Sequence, residues 1–411
     1  MNSWDQEQIH CSKRTAAHRE VSALTKREVY LDHAATTPIR EEALKAMLPY
    51  LQNKYGNPSS LHSPGREIRA ALIRAREKTA LALGAREEEI FFTSGGTEAN
   101  NIAIKGTARR QQEKGHLITS SIEHHAVLDV CKELADEGFE VTFLPVDRYG
   151  MVDPDTVKKA IRAKTFLISI MTANNEVGTI EPVAAIGALA RERGIIFHTD
   201  AVQAVGQIPI DVREMNIDLL SLSAHKFNGP KGVGALYARK DIMLEPLCRG
   251  GGQERQLRPG TENVAGIIGM SRALELAVGE LPEKTGYLQA LRDGLIKDLL
   301  EMGDVVLNGH PTARLPGNVN VSFNYIEGEA LLLGLDLEGI AASSGSACTS
   351  GSLEPSHVLL AMGMEHEVAR GSLRLTLGRG NSDTDVDYLL AVLSPLAERL
   401  RRMSALYPHK N

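Results

Sequence analysis

No run of apolar residues in this chain approaches the roughly 20 needed to span a bilayer, and the N-terminus lacks the apolar core of a secretory signal. A membrane-spanning or exported protein is not expected. Basic residues are not in excess either: 46 lysines and arginines stand against 52 aspartates and glutamates, a formal net charge of −6. No basic run is interleaved with aromatics, so direct binding to a nucleic-acid backbone is not expected. Cysteine is scarce, with Cys11, Cys131, Cys248 and Cys348 widely separated and no C-x-x-C pair among them. That spacing signals neither a disulfide framework nor a zinc site, and it fits a reducing, cytoplasmic setting with no metal in the free protein. Internal repeats and low-complexity tracts are also missing.

The 411 residues are 43% hydrophobic and 24% charged, enough for one large core and a second, smaller one. Residues 1–28 are polar without helical apolar periodicity, and Asp5, Glu7 and Glu20 argue against an acid-poor transit peptide. They read as a disordered extension. From Val29 onward, short apolar runs alternate with longer amphipathic segments, the pattern of an α/β fold with a mainly parallel sheet. Seven runs predict its strands: Ile90–Phe92, His116–Thr119, Glu140–Leu144, Phe166–Met171, Ile195–His198, Leu219–Ser223 and Gly234–Ala238. Several end in polar residues. Ligands of open α/β sheets bind at the carboxyl ends of strands, so these tips are expected to converge on one site.

A glycine-rich bend, Gly250-Gly251-Gly252, follows the last of these runs, and a long charged helical segment begins near Leu281. The expected division is a large domain over residues 29–280 and a smaller α+β domain over 281–411, with residues near 29–40 packing against the smaller one. Gly317–Phe323 and Ser372–Leu377 are its strand candidates, and Cys348 lies on its loop side.

Lys226 follows an apolar strand, with Ser223 and His225 before it and Asn228-Gly229-Pro230-Lys231-Gly232 after, a placement suited to a Schiff base at a strand end. A strand-terminal lysine is more often a solvated charge, and Asp200 shifts the balance. It ends the run Ile195–Thr199, where a carboxylate can keep a pyridine nitrogen protonated; a helix N-cap is its competing role. The turn Thr93-Ser94-Gly95-Gly96-Thr97 leads into a helical pattern, so backbone N–H groups and the Thr97 hydroxyl can seat a phosphate, with Ser223 and His225 adding bonds. His124 stands at another strand end, where an imidazole can stack on a ring and move protons; a structural histidine competes, and His125 stays open beside it. Cys348 sits in Ser343-Ser344-Gly345-Ser346-Ala347-Cys348-Thr349-Ser350-Gly351, small polar residues that offer flexibility instead of an apolar pocket, which favours a reactive thiol over an inert one.

With these residues in place the chain resembles the cysteine desulfurases of iron-sulfur cluster assembly and nitrogen fixation, in the class V aminotransferase group of fold-type I pyridoxal phosphate enzymes. The resemblance runs from about Val29 to Leu406. It is carried by Tyr30–Pro38, Gly56-Asn57-Pro58-Ser59-Ser60, the Thr97 turn, Glu123-His124, Asn174–Gly178, Asp200–Gln203, Ser223–Gly232, Arg258-Pro259-Gly260-Thr261 and the Cys348 segment.

The resemblance implies a large domain with a seven-stranded sheet, pyridoxal 5′-phosphate held by Lys226, the ring nitrogen on Asp200, the phenolic oxygen on Gln203, and His124 stacked over the ring. It implies phosphate contacts from Gly96, Thr97, Ser223 and His225, with Thr261 reaching the phosphate of the partner subunit in a homodimer. Asn175 lies by the cofactor and, with Arg374, holds the substrate carboxylate; a guanidinium suits that task because it grips a carboxylate through two parallel bonds. The implied reaction turns L-cysteine into L-alanine and leaves the sulfur as a persulfide on Cys348, for an iron-sulfur scaffold protein or another acceptor. Cys348 is a candidate iron-sulfur ligand in such a scaffold complex. A selenocysteine lyase or another class V enzyme is the alternative that does not need Cys348, and a silent scaffold-binding protein is a further one. The chain stops soon after Met403–Tyr407, without the longer tail some members use to dock a scaffold, which leaves the acceptor open.

Overall fold

The structure, a computed structural model, describes residues 27–344 and 355–408; the polar N-terminal stretch with Cys11 and the Cys348 segment lie outside the described residues. The chain opens with β1 (Val29–Tyr30) and helices α1 (Glu41–Gln52) and α2 (Ser63–Ala82). An alternation follows: β2 (Ile90–Thr93), α3 (Gly96–Ala108), β3 (His116–Ser120), α4 (His125–Asp136), β4 (Glu140–Leu144), α5 (Pro154–Ala160), β5 (Thr165–Ser169), α6 (Val183–Glu192) and β6 (Ile196–Asp200). β7 (Leu219–Ser223) and β8 (Gly234–Ala238) precede α7 (Val264–Gly279) and α8 (Leu281–Glu301). The remainder is β9 (Val305–Leu307), β10 (Asn318–Phe323), α9 (Gly328–Leu337), β11 (Ile340–Ala341), α10 (His357–Ala361), α11 (His366–Arg370), β12 (Ser372–Thr376) and α12 (Asp383–Met403).

Seven strands form one sheet in the order β2-β8-β7-β6-β5-β3-β4, and β8 alone among them runs against its neighbours. This is the mainly parallel α/β sheet expected from the alternation. β3, β7 and β8 are buried along their whole length, which explains why they read as continuous apolar runs instead of alternating ones. Edge strand β4 exposes Glu140 and mixes polar with apolar residues. The run Phe166–Met171 contributes strand only as far as Ser169, because the Met171 N–H turns to the buried Glu123 carboxyl.

A second apolar core gathers Leu288, Leu295 and Leu299 of α8, Val319 and Phe323 of β10, Leu373 and Leu375 of β12, and Leu389 and Leu393 of α12. The spacing on α8 puts one helical stripe against the antiparallel sheet β12-β10-β9. Val29 and Leu31 belong to this same core, since β1 pairs in parallel with β11, Val29 against Ile340. The chain's first strand is thus joined to its last third. α12 starts at a reciprocal capping box between Ser382 and Asp385. Among the described residues no helix is long and apolar enough to cross a membrane.

Candidate active site

Asp200, the last residue of β6, is buried, and its two oxygens are separately engaged. Oδ1 accepts from the Val202 N–H at 2.9 Å and Oδ2 from the Asn100 amide at 2.6 Å. No helix follows Asp200, only a turn over 202–204, so the carboxylate caps nothing regular. Lys226 closes a one-turn 3₁₀ segment at the end of β7, and its Nζ donates to the Ala34 and Ala35 carbonyls at 2.5 and 2.9 Å. Gln203 donates to the same Ala34 carbonyl at 2.9 Å. The segment around Ala34 therefore covers the lysine, a role that its sequence motif did not reveal.

Between the β2–α3 turn and the end of β7 lies a cleft of about 470 Å³, lined by Gly96, Thr97, Ser223 and His225 together with Thr36 and Lys231. Four predicted phosphate contacts thus meet in one place. Gly96 is required there, because a Cβ would come within 2.5 Å of Val202 Cγ2. The ring of His225 bonds Thr36 Oγ1 at 3.1 Å, and burial, assisted by Lys226 and Lys231, pushes its pKa down to about 4. It is neutral at neutral pH. Within the first turn of α3, Glu98 accepts the Ser94 N–H and pairs with Arg258 at 3.1 Å.

His124 caps α4, its Nδ1 accepting from the Ala126 N–H at 3.0 Å. Burial lowers its pKa, while Asp200 favours the charged ring and Lys226 opposes it. The neutral ring, with Nδ1 accepting, carries its proton on Nε2. His124 is thus both a structural cap and a neighbour of the Asp200–Lys226 pair. His125 turns elsewhere, toward Asp129 at 3.5 Å and the His357 ring at 5.1 Å. Behind His124, burial raises the Glu123 carboxyl to about 8.

Arg374, central in β12, is buried and donates through Nη1 to the Asn175 carbonyl at 3.0 Å. Its Nη2 meets Asp32 Oδ1 at 2.9 Å, and its Nε is buried with no partner atom. A carboxylate is the chemistry that would satisfy that donor. Cys348 itself is outside the described residues, but both flanks are described. Ser343 bonds the Arg374 backbone in both directions, at 3.2 and 2.7 Å, and Ser356 Oγ donates to Glu176, next to Asn175. Thr261 is exposed and does not line this cleft. Cys131 is fully buried, its thiol pushed up to about 12 by burial, so it is inert at neutral pH.

The donors match pyridoxal phosphate group by group. A helix N-terminus with hydroxyls suits the phosphate, a buried carboxylate the protonated ring nitrogen, an amine the aldehyde, and an unpartnered guanidinium N–H the amino-acid carboxylate. Among the described residues, no group of three or more His, Cys, Asp or Glu side chains is placed to hold a metal. Asn100 and Asp32 escaped the sequence reading, because each acts on a residue that is remote in sequence.

The comparisons agree with this chemistry. The family described as aminotransferase class-V matches residues 29–389. Cysteine desulfurase IscS of Methanosarcina thermophila is 59% identical over 381 residues, covering 92% of this chain and 94% of that protein. The cysteine desulfurase IscS of Dictyoglomus turgidum is 58% identical over 381 residues, covering 92% of this chain and 97% of its own. A solved NifS-like protein superposes with a TM-score of 0.86 at 40% identity over 91% of this chain and 100% of its own. SspA, solved in complex with cysteine, gives 0.76 at 41% identity over 85% and 98%. With the α/β sheet and the pyridoxal-type site already in place, these likenesses establish that the chain belongs to the class-V aminotransferases and, within them, to the cysteine desulfurases.

Proposed function

We propose that this chain is a pyridoxal phosphate-dependent cysteine desulfurase that converts L-cysteine to L-alanine and takes the sulfur onto Cys348 as a persulfide. The carrying observation is the position of Arg374: its buried, unpartnered Nε lies on the strand to which Ser343, at one flank of the Cys348 segment, is bonded. That bond tethers one end of the Cys348 segment to the strand that bears the proposed carboxylate-binding group, which supports the reading. The solved relative in complex with cysteine supports that amino acid as the substrate.

Lys226 would hold the cofactor, Asp200 its ring nitrogen and Gln203 its phenolic oxygen, with Asn175 beside it. Gly96, Thr97, Ser223 and His225 would seat its phosphate. Bound there, pyridoxal phosphate supplies an electron sink that makes the substrate α-proton removable. Lys226 would take that proton at Nζ. Asp200 keeps the ring nitrogen protonated, and Arg374 with Asn175 orients the carboxylate. The Cys348 thiolate attacks the substrate sulfur: an S–S bond forms, the C–S bond breaks, and its electron pair stays with the departing carbon skeleton. His124, with its proton on Nε2, and Lys226 return protons to yield alanine.

A large unit over residues 29–280 is assigned the cofactor, and a small unit over 281–411, whose apolar core also takes in Val29 and Leu31, is assigned Cys348. Thr261, exposed in its own subunit, is assigned to the partner subunit's phosphate in a homodimer, and the persulfide to an iron-sulfur scaffold protein or another acceptor. Intact-protein mass spectrometry after incubation with L-cysteine tests the reading. The expected result is the mass of one added sulfur atom, removed by a thiol reductant and missing in C348A. Alanine formation with no added sulfur would turn the assignment toward a selenocysteine lyase or a general pyridoxal lyase.

A further inference from the structure

Glu254, Arg255 and Gln256 have φ of 44°, 54° and 66°, three successive left-handed residues with no glycine among them. Such a run persists only where its surroundings over-determine it. The Glu254 carboxylate is buried and accepts a fork from Arg76, at 2.8 and 2.6 Å, plus the Phe92 N–H at 2.9 Å. Arg255 donates to the carbonyls of Glu87, Glu88 and Ile90. What the run delivers is Arg258, whose Nε reaches Glu98 Oε1 at 3.1 Å while Glu98 Oε2 accepts the Ser94 N–H. The loop therefore touches the phosphate seat on both sides, at Phe92 before the Ser94–Thr97 turn and at Glu98 within the helix that follows.

Glu98 presents a difficulty of charge. It lines the cleft assigned to the phosphate, and a carboxylate in the first turn of α3 competes with that dianion for the same positive helix end. We propose that Arg258, set in place by the left-handed turn, is a positioning and specificity residue for the cofactor phosphate: it neutralises Glu98 and holds it on Ser94. The proposal rests on the cofactor reading above. Its distinctive feature is a repulsion that appears only when Arg258 is lost and only against a phosphorylated ligand.

Apoenzyme titrated with pyridoxal 5′-phosphate and with pyridoxal, which lacks the phosphate, tests it. R258A is expected to weaken binding of the phosphate ester by about fivefold or more while leaving pyridoxal binding within twofold, as removal of a compensating charge predicts. The double variant R258A/E98Q is expected to regain the preference, because glutamine carries no charge yet can still accept the Ser94 N–H. A loop acting only through the fold, or only through Thr261 on the partner subunit, gives no such rescue. Equal weakening of both ligands, or failure of E98Q to rescue, overturns the proposal. If R258A does not fold, R258Q carries the same comparison. Wild-type protein with no preference for the phosphate ester would refute the cofactor reading itself, whatever the variants do.

Discussion

Arg374 Nη2 lies 2.9 Å from Asp32 Oδ1, a pair separated by 342 positions in sequence. Asp32 fixes one edge of the guanidinium and the Asn175 carbonyl another, so that Nε is presented by a planar group of fixed orientation. R374A should therefore raise the KM for L-cysteine and leave cofactor content unchanged. A charge-assisted pair worth about 1.5–3 kcal/mol corresponds to roughly 10- to 150-fold. Steady-state kinetics decide it, and an unchanged KM removes Arg374 from the substrate site.

K226A should lose both turnover and the visible absorbance of bound cofactor. Lys231 also lines the cleft, but it is exposed and follows the strand end, whereas Lys226 is held against the Ala34 and Ala35 carbonyls. Full activity in K226A would contradict the assignment.

C348A should keep the cofactor, since the phosphate seat, Asp200 and Lys226 are untouched, yet stop producing alanine from cysteine. Selenocysteine, with a weaker bond to carbon and a better leaving group, should still be cleaved in part. Wild-type alanine formation by C348A would exclude the persulfide route.

Burial, with Asp147 adding to it, raises the Glu181 carboxyl from 4.5 to about 8, and its Oε1 has no partner atom. Below pH 4.5 both folded and unfolded chains hold this proton. Between 4.5 and about 8 only the folded chain keeps it, so its contribution to stability is lost as pH rises through that window. E181Q should flatten the pH dependence there, by an amount on the order of a few kcal/mol. Denaturant midpoints at several pH values measure it; parallel curves for wild type and variant would exclude a proton on Glu181.

The sheet was legible because its central strands are buried on both faces, so Leu219–Ser223 and Gly234–Ala238 stand out as apolar runs whatever their neighbours. The polar ends of the Ile195–Thr199 and Leu219–Ser223 runs placed Asp200 and Lys226 at strand tips. Illegible were the two-residue strands β1 and β11, too short for a periodic signal, and the partners that hold the tips. Asn100 lies 100 positions from the carboxylate it serves, and Glu254 is 178 from Arg76. Nothing local marks such pairs. The left-handed run at Glu254 is likewise invisible, since none of its residues is the glycine that usually announces that conformation.

The pairing of β1 with β11 also orders events during synthesis. Residues Val29–Tyr30 leave the ribosome early, yet their partners Ile340 and Ala341 emerge more than 300 residues later. Thr376, which accepts the Ala34 N–H, comes later still. Until then the stretch that shelters Lys226 has bonds such as Gln203 to the Ala34 carbonyl but not the strand pairing that anchors its start, while the strands of the large sheet are already complete. A nascent chain can thus build the strand end that bears Lys226 well before it can close the cover over that lysine, and long-range pairing of this kind is slow to form. The Ala34 and Ala35 carbonyls that hold the amine gain their anchor on Thr376 only after residue 376 has been made.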